Sequence, residues 1–120
     1  MHELSIAQSI LEILNRSVPN EELGNVRTVN MKVGMMAGVV CESLEFSFRA
    51  LVSGTPLSAA SLSIARVPFR IHCSACDRTS PTQHGFALCP HCSGTETRIV
   101  SGMELQVVSI DLCEPVLEAS

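Results

Sequence analysis

The chain is poor in the side chains that proteins use to bind nucleic acids and phosphates. Its 120 residues include no Trp, no Tyr and only four Phe, so platforms for base stacking are lacking. Lys32 is the only lysine and there is no glycine-rich run, which argues against a phosphate-binding loop. These absences argue against a nucleic-acid binding protein and against a nucleotide-dependent enzyme.

Long apolar runs are missing as well. No stretch approaches the roughly 20 apolar residues that span a bilayer. Glu3 and Glu12 interrupt the apolar positions near the N-terminus, where an export signal would lie. We therefore expect a soluble, cytoplasmic protein that does not bind membranes. Its hydrophobic content of 46% supports one core of moderate size.

The cysteines are the most informative residues that are present. Cys73 and Cys76 form one C-x2-C pair, and Cys89 and Cys92 form a second pair after a spacer of twelve residues. Each pair places two thiolates at a tight turn, and two facing turns supply the four sulfurs of a tetrahedral ion. We interpret the four cysteines as a structural zinc site.

Other uses of paired cysteines remain open at this point. Rubredoxin-type iron takes the same four sulfurs, and the spacing does not separate it from zinc. Disulfides would suit an oxidising compartment, and a thioredoxin-like redox site would need only one of the two pairs. His72 and His91 adjoin the cysteines and could replace a sulfur, although solvated or supporting roles fit them better.

The apolar pattern predicts two helices and three strands. Apolar residues spaced by three and four predict helices over residues 4–18 and 41–52. Alternation of apolar and polar residues predicts strands over residues 28–35, 62–71 and 99–112, the last of them bulged. The element order is helix, strand, helix, strand, cysteine segment, strand.

This order predicts an α+β fold with a small mixed three-stranded sheet. A strand, helix, strand unit favours a right-handed crossover and hence a parallel pair of strands. The two strands that flank the cysteine segment should run antiparallel, like an oversized hairpin. Two helices would pack on the sheet, and an inserted zinc-ribbon-like domain with two C-x2-C knuckles would be held folded mainly by its metal.

The N-terminus is the second informative feature. Met1, His2 and Glu3 offer an amine, an imidazole and a carboxylate, and chelate rings can close from the amine through the amide nitrogen and imidazole of His2. Nitrogen donors in one plane suit Ni(II) or Cu(II), whose square-planar preference zinc lacks. Taken alone the signal is weak, because a frayed terminus is the usual explanation.

Six short segments form a pattern that extends along most of the chain. They are Met1-His2-Glu3-Leu4-Ser5-Ile6-Ala7, Val33-Gly34, Leu44-Glu45-Phe46-Ser47-Phe48, Gly54-Thr55-Pro56-Leu57, Cys89-Pro90-His91-Cys92 and Gly102-Met103-Glu104-Leu105. With them the sequence from Met1 to about Leu112 resembles the HypA/HybF family of hydrogenase nickel-incorporation proteins. One departure is Ser93-Gly94, where members usually show Gly and then Ser after the last cysteine.

The resemblance implies a nickel metallochaperone for [NiFe]-hydrogenase maturation. A nickel-binding domain at residues 1–65 and 99–120 would hold Ni(II) as transient cargo. Its ligands would be His2 and main-chain nitrogens, with Met1 and Glu3 as further candidates. A zinc-binding domain at residues 66–98 would be structural.

The resemblance also implies partners. Members pass nickel to the hydrogenase large subunit together with the GTPase HypB, and some also serve urease. We expect HypB to dock near the N-terminus on the exposed face of the first helix, which carries Gln8, Glu12 and Asn15. The protein would be a monomer or a homodimer.

Two other classes of function compete with this one. A zinc-ribbon module that binds nucleic acid or transcription proteins would explain the knuckles and the arginines around them. It leaves His2 without a role, and also residues 99–120, which carry four acidic residues and no basic one. An enzyme of thiol exchange would use the cysteine pairs. We expect no enzyme, because the sequence carries no nucleophile paired with a base.

Overall fold

Helices and strands make up most of a computed structural model that describes residues 2–81 and 88–113. The elements are α1 (His2–Ser17), a 3-10 helix (Asn20–Asn25), β1 (Val26–Gly34), α2 (Cys41–Val52), β2 (Ser61–Val67), β3 (Arg70–Cys73), β4 (Arg78–Pro81), β5 (Thr97–Ser101) and β6 (Leu105–Leu112). The strands form two three-stranded sheets, in the orders β2-β1-β6 and β4-β3-β5. The predicted α+β class is confirmed.

The chain divides into two compact units. The first unit comprises Met1–Met31, Val40–Ile64 and Val107–Ser120, and the second comprises Lys32–Val39 and Ala65–Gln106. Both α-helices belong to the first unit. The β4-β3-β5 sheet and the two C-x2-C pairs belong to the second unit.

α1 and α2 pack against each other through apolar stripes. The buried side chains are Ala7, Ile10 and Leu14 of α1 and Leu44, Phe48 and Val52 of α2. Their spacing of three and four puts each set on one helix face, and burying a large apolar side chain stabilises the fold by about 1.5–3 kcal/mol. In the part of the chain that the structure describes, no helix is long and apolar enough to cross a membrane.

The sheet that contains β1 is mixed, as the sequence predicted. The hydroxyl of Ser61, at the start of β2, lies 3.5 Å from the carbonyl of Arg27, at the start of β1, so these paired strands begin side by side and run parallel. The N–H of Cys113, just after β6, donates to the carbonyl of Asn25, just before β1, so β6 is antiparallel. The predicted antiparallel pairing of the strands that flank the cysteine segment is confirmed for β3 and β5, whereas β2 and β6 are separated by β1.

Two of the predicted strands are in fact two strands each. The predicted strand 62–71 divides at Pro68 into β2 and β3, and the predicted strand 99–112 divides at Gly102 into β5 and β6. Pro68 lacks the N–H that a continuous strand would use, and Gly102 has a φ of 109°. The Ser101 hydroxyl donates to the Pro68 carbonyl at 2.8 Å and joins the two breaks.

The main chain makes a close approach at two glycines of the second unit. A Cβ added to Gly34 would overlap the main-chain carbon and oxygen of Gly102. One added to Gly102 would lie 2.5 Å from the Cα of Phe69. Main-chain bonds from Gly34 N–H to the Glu104 carbonyl (2.7 Å) and from Met36 N–H to the Gly102 carbonyl (2.9 Å) hold the segments together. Both positions therefore require glycine.

We predict that Gly102→Ala destabilises the protein by at least about 2 kcal/mol, because it combines a strained φ with a clash against main chain. Gly38→Ala is the matched control, since Gly38 also has a positive φ (76°) but no atom within 4 Å of the added Cβ. The control should lose only about 1 kcal/mol. Urea unfolding of both variants measures the difference, and equal losses would contradict the close approach.

Candidate metal centres

Cys73 and Cys76 lie at the turn that joins β3 to β4. The antiparallel pairing of these strands reaches Cys73 opposite Arg78, so the hairpin closes there. Asp77 adopts a φ of 56°, a left-handed conformation that Asp tolerates better than most residues. This local geometry places both thiols at one end of the hairpin.

Cys89 and Cys92 lie at a second turn that is closed by its own main chain. The N–H of Ser93 donates to the carbonyl of Cys89 at 2.8 Å, and the N–H of Cys89 donates to the carbonyl of Gly94 at 3.0 Å. Ser93 has a φ of 59°, a conformation that favours glycine. Because of the unusual Ser93-Gly94 order, a residue with a side chain occupies this left-handed main-chain conformation. The positions of the two cysteines are not affected by it.

The two turns bring the four sulfurs together. All four Sγ atoms lie within 4.8 Å of one another, with Cys73 to Cys92 and Cys76 to Cys89 both at 3.6 Å. These two distances are too long for disulfides, whose sulfurs are about 2 Å apart. A tetrahedral zinc ion with bonds of about 2.3 Å would separate its sulfurs by roughly 3.8 Å. The donor set and the short distances fit such an ion.

The thiols of this cluster differ in their pKa values. Main-chain N–H groups of Cys92 and then His91 donate to the Cys89 sulfur and lower the pKa of that thiol to about 7, against an opposing effect of burial. Burial and the neighbouring thiols raise the pKa of Cys76 to about 12. A divalent cation would displace these protons, since the thiolate is the ligating form.

The histidines beside the cysteines make contacts of their own. The Nδ1 atom of His72 lies 2.9 Å from the Thr79 hydroxyl, and its Nε2 atom lies 3.2 Å from an Asp77 carboxylate oxygen. His91 is exposed, with Nδ1 3.5 Å from a guanidinium nitrogen of Arg78. Among the described residues, the group of side chains that could hold a metal consists of the four cysteines.

The N-terminal motif lies in the first turn of α1. The helix begins at His2, two residues earlier than predicted, and Met1 lies outside the described residues. The His2 side chain is 58% exposed, whereas that of Glu3 is only 14% exposed, and His2 Nδ1 lies 3.7 Å from Glu3 Oε2. The first N–H groups of a helix have no intrahelical acceptor. The His2 imidazole thus lies close to main-chain N–H groups that have no acceptor in a preceding helical turn.

A contact of Glu3 with α2 was missed by the sequence analysis. The N–H of Val40, the residue before α2, donates to Glu3 Oε2 at 3.1 Å. This bond and one from the N–H of Glu3 itself lower the pKa of the Glu3 carboxyl below its usual value. The sequence held one indication of this contact. Val40 precedes α2 but has no polar side chain to cap the helix, so a hydrogen bond at this helix end has to come from another residue.

Comparisons with known proteins agree on one family. The model of the family described as "Hydrogenase/urease nickel incorporation, metallochaperone, hypA" matches residues 1–112. A hydrogenase maturation factor HypA from Geobacter metallireducens is 38% identical over 112 residues, which cover 93% of this chain and 99% of that protein. Another from Chloroflexus aggregans is 37% identical over 113 residues, covering 92% and 98%.

Solved structures share the fold. The solution structure of the Ni metallochaperone HypA from Helicobacter pylori matches with a TM-score of 0.63 and 16% identity, covering 92% of this chain and 97% of that one. A second solution structure of a HypA protein matches with a TM-score of 0.67 and 18% identity, covering 93% and 96%. The class is therefore that of nickel-incorporation metallochaperones in hydrogenase maturation. The chain belongs to the HypA family.

We predict that each chain binds about one zinc ion through the cluster, and that Cys73→Ser abolishes this binding. Loss of one sulfur opens the coordination shell, so the second unit should unfold while α1 and α2 keep their helical circular dichroism. Cys41→Ser is the matched control, because Cys41 begins α2 and lies outside the cluster.

Elemental analysis of the purified variants measures zinc, and a thiol reagent counts the accessible cysteines. A wild-type protein without zinc, or one in which all four cluster thiols react freely, would contradict the structural site.

Proposed function

We propose that this protein carries Ni(II) at its N-terminus and delivers it to the large subunit of a [NiFe]-hydrogenase. His2 is the principal ligand in this proposal, together with main-chain nitrogens, while Met1 and Glu3 contribute further donors. Zinc in the four-cysteine cluster has a structural role. The observation that carries the proposal is the family match over residues 1–112, which includes both the N-terminal motif and the cysteine pairs.

The exposure of the two groups of donors supports this division of roles. Cys73 and Cys89 are buried and Cys92 is exposed, so slow exchange of a metal held there would come from a closed shell of four sulfurs, which leaves no open coordination position. His2 is 58% exposed at the end of a helix, where the main chain opens most easily. A cargo ion must be released, and an accessible terminal site suits release better than a closed sulfur shell.

The start of α1 is also chemically suited to nickel. Square-planar Ni(II) can take deprotonated amide nitrogens as ligands. The amides of His2 and Glu3 lie in the first helical turn, where no bond to a preceding helical carbonyl has to be broken, although the Glu3 N–H must leave its own carboxylate. Glu3 is held by Val40, so in this proposal its carboxylate fixes the position of the turn and reaches the metal only after leaving that N–H.

The proposed partners follow from the family. Members of the HypA family act in hydrogenase maturation, and we propose that this protein works in the cytoplasm with a HypB-type GTPase, with urease as a possible second recipient. The exposed residues Gln8, Glu12 and Asn15 of α1 form the proposed HypB contact beside the nickel site. The protein itself acts as a carrier and catalyses no reaction.

We predict that His2→Ala weakens Ni(II) binding at least tenfold, a loss of about 1.4 kcal/mol or more, because it removes the imidazole from the chelate. His91→Ala is the matched control, since His91 is also exposed and lies in the second unit. Calorimetric titration of zinc-loaded protein measures both affinities, and zinc content should stay constant in His2→Ala.

Two outcomes would contradict the nickel assignment. Unchanged affinity in His2→Ala would remove His2 from the ligand set. An equal loss in His91→Ala would place nickel at the cysteine turns. A tag that converts the Met1 amine into an amide tests the amine separately, and a tenfold loss is expected there as well.

A further inference from the structure

β5 is an edge strand in the second unit. Within the described residues it is hydrogen-bonded only to β3, as the last strand of the order β4-β3-β5. The N–H of Ser74 donates to the carbonyl of Glu96, and His72 pairs with Arg98 two residues further along. In an antiparallel ladder every second residue bonds inward. The N–H and carbonyl of Ile99, between these positions, therefore point away from β3.

The side chains of this edge are apolar and exposed. Ile99 and Val100 are 53% and 51% exposed, although the strand partner of Ile99, Ile71, is only 1% exposed. Exposed edge strands with apolar side chains are sites where another strand adds to a sheet. The edge thus offers both main-chain groups and apolar side chains to an extended segment.

Basic side chains lie on one face of the same sheet. Pairing of Thr79 with His72 and of His72 with Arg98 puts these three residues in a row across the strands. Arg70 lies two residues before His72 on β3 and hence on the same face. Neither Arg70 nor Arg98 has a carboxylate partner among the residues that the structure describes. Two guanidinium groups are therefore available to an external anion.

A concave site adjoins this row. It has a volume of about 300 Å³ and is lined by His72, Ser74, Glu96, Thr97 and Arg98. The Ser74 hydroxyl donates to the carbonyl of Glu96 and lies 3.5 Å from its carboxylate. Arg98 can take a carboxylate here, while Glu96 can accept an N–H group. A peptide with an acidic side chain presents both.

The charge of the second unit favours an acidic partner. Its residue ranges contain five basic residues (Lys32, Arg66, Arg70, Arg78 and Arg98) against three acidic ones (Asp77, Glu96 and Glu104), a net charge of +2. The whole chain has a net charge of −4, so the remaining residues carry −6. The β5 edge lies in the basic part of an acidic protein.

We propose that the edge of β5 binds an extended, acidic segment of a partner protein, which adds to the β4-β3-β5 sheet as a fourth strand. Main-chain bonds to Ile99 align the segment. Acidic side chains on one of its faces meet Arg98 and Arg70, and apolar side chains on the other face cover Ile99. This inference does not depend on nickel binding, because every residue in it belongs to the second unit.

Nucleic acid fits this surface less well than a peptide does. A net charge of +2 neutralises few phosphates, and the Glu96 carboxylate needs an N–H donor, which a peptide main chain offers and a phosphate backbone does not. The described residues on this face include no Phe, Tyr or Trp that could form a stacking platform for bases. A peptide in which acidic and apolar residues alternate, in contrast, would present an acidic face to Arg98 and an apolar face to Ile99 when it is extended.

The test uses the full-length, zinc-loaded protein and a fluorescein-labelled peptide of seven residues that alternates Glu and Val. Fluorescence anisotropy gives its affinity. Arg98→Glu should weaken binding at least tenfold, because it reverses the charge that faces the peptide. Arg16→Glu is the matched control, since it makes the same charge change at an exposed position of α1 and should leave the affinity unchanged.

Main-chain pairing is tested with two methylated peptides. One carries N-methyl groups on the alternate amides that face β5, and the other carries them on the amides that face away. Only the first should lose binding, because only its N–H groups pair with the edge. In spectra of isotope-labelled protein, the unmethylated peptide should shift the amide signals of Ile99 and its neighbours in β5.

Three outcomes would overturn the proposal. These are no binding of the alternating peptide, equal losses in Arg98→Glu and Arg16→Glu, and equal losses with the two methylated peptides. A single-stranded oligonucleotide of the same charge that binds as tightly as the peptide would also overturn it, since the surface would then be a general site for anions.

Discussion

Four sulfurs within 4.8 Å of one another are the constraint on which the second unit depends. Without a cation, ionising these thiols is costly, because burial first and then the neighbouring thiols raise the pKa of Cys76 to about 12. The β4-β3-β5 sheet is small, and the large apolar side chains buried at β3, within the described residues, are Ile71 and the adjacent Phe69. A sheet of this size requires a further source of stability, and an ion bound by the two turns would supply it.

The cysteine turns also fix the position of the strands beside them. Cys73 ends β3 and pairs with Arg78 of β4 on one side and Thr97 of β5 on the other. The register of all three strands therefore begins at a residue of the sulfur cluster. His72 and Arg98 come one residue further along, so the basic row depends on the same turns. A metal that orders the turns would order the proposed docking edge with them.

Local patterns predicted the parts of the structure that depend on neighbouring residues. The C-x2-C spacing predicted the sulfur cluster, since each turn needs only four residues, and the apolar spacing predicted α1 and α2. The breaks at Pro68 and Gly102 were missed because apolar residues continue across both. Pro68 was a local signal that the apolar pattern outweighed, whereas the cause at Gly102 is non-local, since its main chain lies against Gly34 and Phe69. The bond between Glu3 and Val40 was missed for the same reason, as it joins residues 37 positions apart.

The hydrogen bond between Glu3 and Val40 would let a metal site at the N-terminus be fixed in position and still accessible to solvent. His2 is exposed, and a free helix end would sample many conformations. Glu3 limits that freedom, because its carboxylate accepts the N–H of Val40 at 3.1 Å and so ties the first turn of α1 to the start of α2. The His2 imidazole thus projects from a positioned turn while remaining accessible to solvent. If the proposed nickel site is correct, anchoring Glu3 while exposing His2 would reduce the entropy lost on binding without enclosing the ion.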